Sequence, residues 1–283
     1  MSLDSLCPDA PVCSTVTVGR PTLRRTLCRL GFWYFCTWPL GTALFWLWSP
    51  AAGISHFIAT HVLALYSALR ANSQVFGDVV QRFETSQREV WLTIDDGPFA
   101  GDTNAILEVL AKHQAHATFF LEGARVSVNP ALVRDITAAG HSVGNHTQHH
   151  RVSRFWAAGP WTAARELGAC TAALSAAAQA SPLGFRPPVG MANGFVHLIA
   201  RQQRLPVIGW DVRGYDGLDT CPDRVARRIL SAVRPGSIIL LHQRSGSTDT
   251  SPRNAATLER VLTELTAAGY RCVLPAPERY IAG

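Results

Sequence analysis

The sequence predicts an α/β protein: a distorted (β/α)7 barrel with an N-terminal hydrophobic helical segment ahead of it. Two observations carry the barrel. Beyond residue 89, apolar runs of strand length alternate with longer stretches of helical character, and two of those stretches stop at Gly140 and Gly269. A third observation carries the appendage, because no Asp, Glu, Lys or Arg occurs from Leu30 to Leu69. A chain of 283 residues holds one barrel-sized domain with such a segment attached.

In chain order, residues 1–29 form a basic tail in which Arg20, Arg24, Arg25 and Arg29 precede the apolar tract. The tract at 30–69 is long enough for two spans, Gly31–Trp48 and Ala51–Leu69, each of about 20 residues and broken at Ser49-Pro50. Trp33, Trp46 and Trp48 suit interfacial anchoring. The arginines before the tract place the N-terminus in the cytoplasm. Two spans then return the barrel to the cytoplasm, and one span, followed by an interfacial helix, exports it. Arg70, Arg82 and Arg88 after the tract favour the hairpin. Either way the expected location is a bacterial-type inner or plasma membrane.

Residues 70–88 read as a connector and 89–283 as the barrel domain. Its strands are expected at Val90–Ile94, Ala117–Leu121, Ser142–Gly144, Gly184–Arg186, Pro206–Val212, Ser237–Leu241 and Arg271–Leu274. Helices are expected at Asn104–His113, Pro130–Ala139, Trp161–Gln179, Gly194–Gln203, Asp223–Val233 and Asn254–Ala268. Such alternation builds a parallel sheet covered by helices, with functional groups at the carboxyl ends of the strands.

The net charge of +6 comes from arginine, since Lys112 is the sole lysine. No compact basic run with interleaved aromatics accompanies it, so no nucleic-acid partner is expected. Seven cysteines, an odd number without a C-x-x-C pair, argue against a disulfide framework or a zinc ribbon and for free thiols.

Several groups end successive strands. Asp95-Asp96-Gly97-Pro98 places two adjacent carboxylates at a strand end, an arrangement that needs a cation or base partner to offset repulsion and lost solvation. Taken alone, it also reads as a solvated turn before a helix. His146 and His150 are four apart, a spacing that puts two imidazoles on one helical face and, with one carboxylate, completes a three-ligand metal set with open positions. Taken alone, it also reads as a polar loop. Arg186-Pro187-Pro188, Asp211 to Asp216 and Leu240-Leu241-His242 follow further strands. Each is weak singly, and their common place at strand ends points to one shared mouth.

From Val90 to Leu274 these ordered motifs resemble the polysaccharide deacetylases, the NodB-like carbohydrate esterases of family 4. The resemblance implies Asp95 as base, Asp96, His146 and His150 as ligands of a divalent metal, and Arg186 as the partner of the base. It implies His242 as general acid, oriented by Asp216, with Leu240 walling the acyl pocket and Pro187 as a further substrate residue. Zinc suits that donor set first, while cobalt, nickel and manganese fit the same ligands. The pattern departs from the family at Val189, where an aromatic residue is usual. It departs again at Arg213-Gly214-Tyr215-Asp216-Gly217, where only Asp216 of an Asp-x-x-Asp-Trp motif survives.

The resemblance implies a metal-dependent hydrolase that removes an acetyl or formyl group from an N-acylated sugar in an oligo- or polysaccharide or a lipid-linked glycan. The membrane tract and the altered groove favour the lipid-linked form. The alternative is a catalytically inactive sugar-binding barrel in membrane-associated glycan assembly, against which the retention of Asp95 and His242 argues.

Overall fold

The structure, a computed structural model, describes residues 37–243 and 251–282. The basic tail, the first six residues of the first candidate span and four of the seven cysteines lie outside the described residues. The other three, Cys170, Cys221 and Cys272, are free thiols.

Helices α1 (Trp38–Trp48) and α2 (Pro50–Leu69) form an antiparallel pair hinged at Ser49, where extended backbone separates two helices that each begin with proline in the first turn. Pro50 suits a first turn because its missing N–H has no intrahelical acceptor there. Gly53 lets α2 approach the backbone of Trp46, and a Cβ at that position would lie 2.9 Å from the Trp46 Cα. Helix α2 is long and apolar enough to cross a membrane.

The remaining chain alternates strands and helices. In order these are β1 (Val79–Phe83), β2 (Glu89–Asp95), α3 (Asp102–Lys112), β3 (Ala117–Leu121), α4 (Gly123–Val128), α5 (Pro130–Ala138) and β4 (Ser142–Asn145). After them come α6 (Pro160–Ala178), α7 (Gly194–Gln202), β5 (Val207–Ile208), β6 (Val212–Arg213), α8 (Pro222–Ala232), β7 (Ile238–His242), α9 (Ser251–Ala267), β8 (Arg271–Cys272) and β9 (Tyr280–Ala282). Strands β4-β3-β2-β7-β6 lie side by side in parallel, with β8 beside the start of β2. A second set runs β5-β1-β9.

Three expectations are corrected. Gly184–Arg186 is not a laddered strand: Phe185 makes single parallel bridges to Asn145 and Val207. The run Pro206–Val212 divides into β5 and β6, which join different sheets. Within the expected connector, Val79–Phe83 forms β1 and pairs with both β5 and β9. The bridges at Phe185, and an antiparallel one from Arg82 to Ser237, link the two sets of ladders.

Alternation along the strands sorts side chains onto two faces, as a period of two requires. Leu92, Ile94, Phe119, Leu121, Ile239 and Leu241 pack outward against the helices with Ile106, Val133, Leu174 and Val261. Burying each large member contributes about 2 kcal/mol. Trp91, Phe120, Ile238 and Leu240 face the other way, into an interior cluster with Ile208 and Trp210. The residues between and beyond them on that interior face are polar: Thr93, Asp95, Thr118 and His242. Trp91 donates its indole N–H to Thr118 Oγ1 at 2.7 Å, and Thr118 Oγ1 lies 2.7 Å from Ser142 Oγ.

Candidate active site

The register of the parallel strands sets Asp95 directly beside His242 on β7 and Phe120 on β3, so the carboxylate and the imidazole share one level at the carboxyl end of the sheet. Asp95 is 4% exposed and Arg186 wholly buried. Arg186 Nη1 donates to Asp95 Oδ1 at 2.6 Å and to Thr93 Oγ1 at 2.8 Å. Its Nε and Nη2 donate to the carbonyls of Ile208 and Gly209, and its guanidinium carbon lies 4.2 Å from the Phe120 ring centroid. A buried guanidinium needs this full set of acceptors and an opposite charge to offset its lost hydration.

The next residue, Asp96, has φ +69 and turns its carboxylate to the other side of the mouth. Its Oδ1 lies 3.5 Å from His146 Nε2 and 3.4 Å from His150 Nε2, and it is a buried oxygen without a hydrogen-bond partner. These separations are too long for hydrogen bonds. They match the spacing of about 3.4 Å between donors that hold one cation through tetrahedral bonds of roughly 2.0–2.1 Å. Asp96, His146 and His150 are the one group of three such donors among the described residues. The donor set therefore fits a divalent metal.

His146 and His150 do not meet on a helix, as their spacing suggested. They sit in the loop after β4, where Thr147 (φ +68) and His150 (φ +46) adopt left-handed backbone and bring the rings to 4.5 Å between centroids. Each such non-glycine residue costs about 1 kcal/mol or more and is retained where the surroundings hold it. Those surroundings are specific. Asn145 Oδ1 accepts the Thr147 N–H at 2.9 Å, and Thr147 Oγ1 accepts the His150 N–H at 3.0 Å. Buried Glu166 on α6 accepts from the His149 backbone at 3.0 Å and pairs with its ring at 2.9 Å. His146 Nδ1 lies 2.8 Å from the Arg186 carbonyl, which leaves Nε2 to face Asp96.

Electrostatics follow this layout. For Asp96, burial would raise the carboxyl pKa, but His146, His150 and His242 outweigh it and bring it down to about 2. Burial and the neighbouring His146 push His150 down to about 4, which leaves a neutral ring with one nitrogen free to act as a ligand. His242 behaves oppositely: burial disfavours its charge, yet Asp216, then Asp95 and Asp96, raise it to about 9. Asp216 holds His242 by ring and backbone, with Oδ1 3.0 Å from His242 Nδ1 and Oδ2 accepting the His242 backbone N–H at 2.7 Å.

Seven expected site residues thus converge: Asp95, Asp96, His146, His150, Arg186, Asp216 and His242. Leu240 and Pro187 are buried. Leu240 packs with Phe120, Trp210 and Ile208 one layer beneath His242, and Pro187 lines a small cavity with Asn72, Val79 and His197. Both support the walls from below or beside rather than offering open surface. Asp211 lies apart, accepting from Ser237 and Ile238 at the opposite end of β7. The sequence reading missed Thr93, Asn145 and Glu166. Thr93 and Glu166 carried a signal, since one is polar in an apolar strand and the other is a lone acid in an alanine-rich helix. Thr93→Val removes both the Arg186 acceptor and the donor to the Ile239 carbonyl. It is expected to lower stability by about 2 kcal/mol in urea unfolding.

Known proteins resemble this chain in sequence and in fold. The sequence pattern described as polysaccharide deacetylase matches residues 82–208. A chitooligosaccharide deacetylase of Bradyrhizobium is 38% identical over 176 residues, covering 62% of this chain and 76% of the relative. A peptidoglycan-N-acetylglucosamine deacetylase of Bacillus cereus is 30% identical over 208 residues, covering 72% and 94%. The solved family 4 carbohydrate esterase of Streptomyces lividans, in complex with acetate, superposes with a TM-score of 0.61 at 28% identity, covering 69% of this chain and 97% of that one. A metal-fitting Asp-His-His set beside a buried Asp-Arg pair, on a fold and sequence shared across those relatives, makes this chain a member of the polysaccharide deacetylase family.

Proposed function

We propose that the chain hydrolyses the N-acyl amide of an amino sugar, with Asp96, His146 and His150 as the ligands of a divalent metal. The reading fits a carbohydrate deacetylase, a hydrolase of non-peptide carbon–nitrogen bonds, and rests above all on one observation. Asp96 Oδ1 stands about equally far from two imidazole nitrogens, and Asp95 and His242 flank it from adjacent strands. A cation held there supplies Lewis acidity toward the acyl carbonyl and toward water.

The chain's own residues then divide the proton transfers. Asp95 takes the proton of the attacking water as the new carbon–oxygen bond forms, and Arg186 holds the Asp95 carboxylate in position. His242, protonated and aimed by Asp216, gives its proton to the sugar nitrogen as the carbon–nitrogen bond breaks. The products are a free carboxylic acid and an amine. An inactive sugar-binding barrel would need neither the Asp95–Arg186 pair nor the His242–Asp216 pair.

Zinc is the proposed metal, because two imidazoles and one carboxylate suit it. Chelation followed by dialysis should abolish acid release, and added zinc should restore it. His146→Ala should lose the metal by elemental analysis while the circular dichroism stays native. Full activity in the metal-free protein would sink the assignment.

The substrate proposed is an N-acetyl or N-formyl sugar, free in an oligosaccharide or carried on a lipid. Attachment to the membrane through α1 and α2 supports the lipid-linked form. An even number of crossings keeps the catalytic domain cytoplasmic and an odd number exports it, which a reporter fused after Gly283 resolves.

A further inference from the structure

Of the ten exposed large apolar side chains among the described residues beyond 70, six gather around one end of the sheet, while Val128, Leu198, Leu274 and Ile281 are not among them. Val152 lies in the loop after β4, Val189 in the loop after Arg186, and Tyr215 and Leu218 in the loop between β6 and α8. Trp161 and Phe195 sit in the first turns of α6 and α7. Loops that follow parallel strands, and the first turns of the helices after them, lie at the carboxyl end of the sheet, which is the end that carries Asp95 and His242. Trp161 and Leu218 are each 88% exposed, more than core packing or an ordinary surface requires.

The same face holds the apolar helix. Helix α2 contacts the single turn Phe155–Ala157, which follows His150 in the metal-ligand loop. Just past its end, the Asn72 backbone donates to the Gly190 carbonyl at 3.3 Å and the Asn72 side chain donates to the Trp210 carbonyl at 2.7 Å. Ser67 and Ala68 are buried at this junction, while Leu47, Trp48, Ile58, Val62 and Tyr66 of the pair α1–α2 remain exposed. Arg151, Arg154 and Arg213 stand exposed among the rim residues, and Arg213 stacks 3.9 Å from the Tyr215 ring centroid. Apolar side chains interleaved with arginine, continuous with a helix fit to cross a bilayer, match the chemistry of a phospholipid interface.

We infer that the mouth rim built by Val152, Trp161, Phe195 and Leu218 docks on the surface of the phospholipid bilayer that holds α2, so that the active site opens onto lipid and takes acyl sugars presented there. The inference rests on the proposed deacetylase reading for its substrate but not for its surface. Full-length protein would be reconstituted in phosphatidylcholine–phosphatidylglycerol vesicles carrying a phospholipid with a diazirine in its acyl chain, irradiated and digested. Lipid adducts are expected on peptides containing Val152, Trp161 and Leu218 as well as on residues 37–69. Adducts confined to 37–69 overturn the docking.

The triple variant Val152→Ser, Trp161→Ser, Leu218→Ser supplies the second readout, with acid release measured on a bilayer-embedded N-acetyl glycolipid and on a soluble N-acetylated oligosaccharide. The kcat/KM for the embedded substrate should fall about tenfold as apolar anchoring is lost, and that for the soluble one should change less than twofold. Equal losses on both overturn the docking. Release from neither substrate by the unaltered protein defeats the deacetylase reading instead, and the adduct map still decides the surface.

Discussion

Asp95→Asn should lower kcat about a thousandfold or more while the metal stays bound. General base catalysis by a positioned carboxylate contributes in that range, and asparagine cannot accept the proton of water. The substitution is nearly isosteric, so the amide oxygen can still accept from Arg186 Nη1, the contact that Asp95 makes at 2.6 Å. The charge is nonetheless gone, and the wholly buried guanidinium loses its counterion. A stability loss of about 3 kcal/mol accompanies that break of a buried pair, so activity is to be compared at a temperature where both proteins are folded. Elemental analysis should return the same metal content as the parent, because Asp96, His146 and His150 are untouched. Retained turnover in a folded, metal-loaded variant would remove Asp95 from the role of base.

His242→Ala should lower kcat about a hundredfold to a thousandfold and erase the alkaline limb of the pH profile. The direction follows from the shift. The folded pKa stands at about 9 against an ordinary 6.5, so the proton needed by the leaving nitrogen is present at neutral pH and is lost as pH climbs toward 9. A divalent cation on the neighbouring ligands repels that proton and draws the limb lower. Asp216→Asn removes the largest influence that raises the pKa and should move the limb further toward 6.5. Stability behaves in the same sense: what the His242–Asp216 pair contributes is fully present below 6.5 and fades as pH rises through about 9. An alkaline limb unmoved by Asp216→Asn would assign the proton donor elsewhere.

Much of this site is legible in sequence because it sits at ends of strands whose apolar alternation is plain. Once β2 and β7 are read in parallel, Asp95 and His242 must lie at the same end. The ladder register, which no periodicity discloses, then puts them side by side. The i, i+4 reading of His146 and His150 failed for a physical reason. Two donors can be gathered by a helix or by a loop in left-handed backbone, and here local hydrogen bonds from Asn145 and Thr147, with Glu166 reaching in from α6, hold the loop. Strand β1 was missed because its sequence, Val-Val-Gln-Arg-Phe, is short and polar in the middle. Its place is secured by partners far away in the chain, at Val207–Ile208 and Tyr280–Ala282. The Gly184–Arg186 run was read as a full strand because isolated bridges and ladders have the same local preferences.

Arg186 has a consequence for how such a protein can change. Its side chain reaches Asp95 and Thr93 on β2 and the carbonyls at 208 and 209, and its own carbonyl orients His146. Chemistry and folding are therefore one structure at this point, and a substitution there cannot alter one without the other. Val189 and Arg213, by contrast, have exposed side chains at the mouth and make no such contacts with the buried site. Exchanging those outer positions in a library should therefore change which N-acyl sugar is bound while the buried Asp95–Arg186 pair stays as it is.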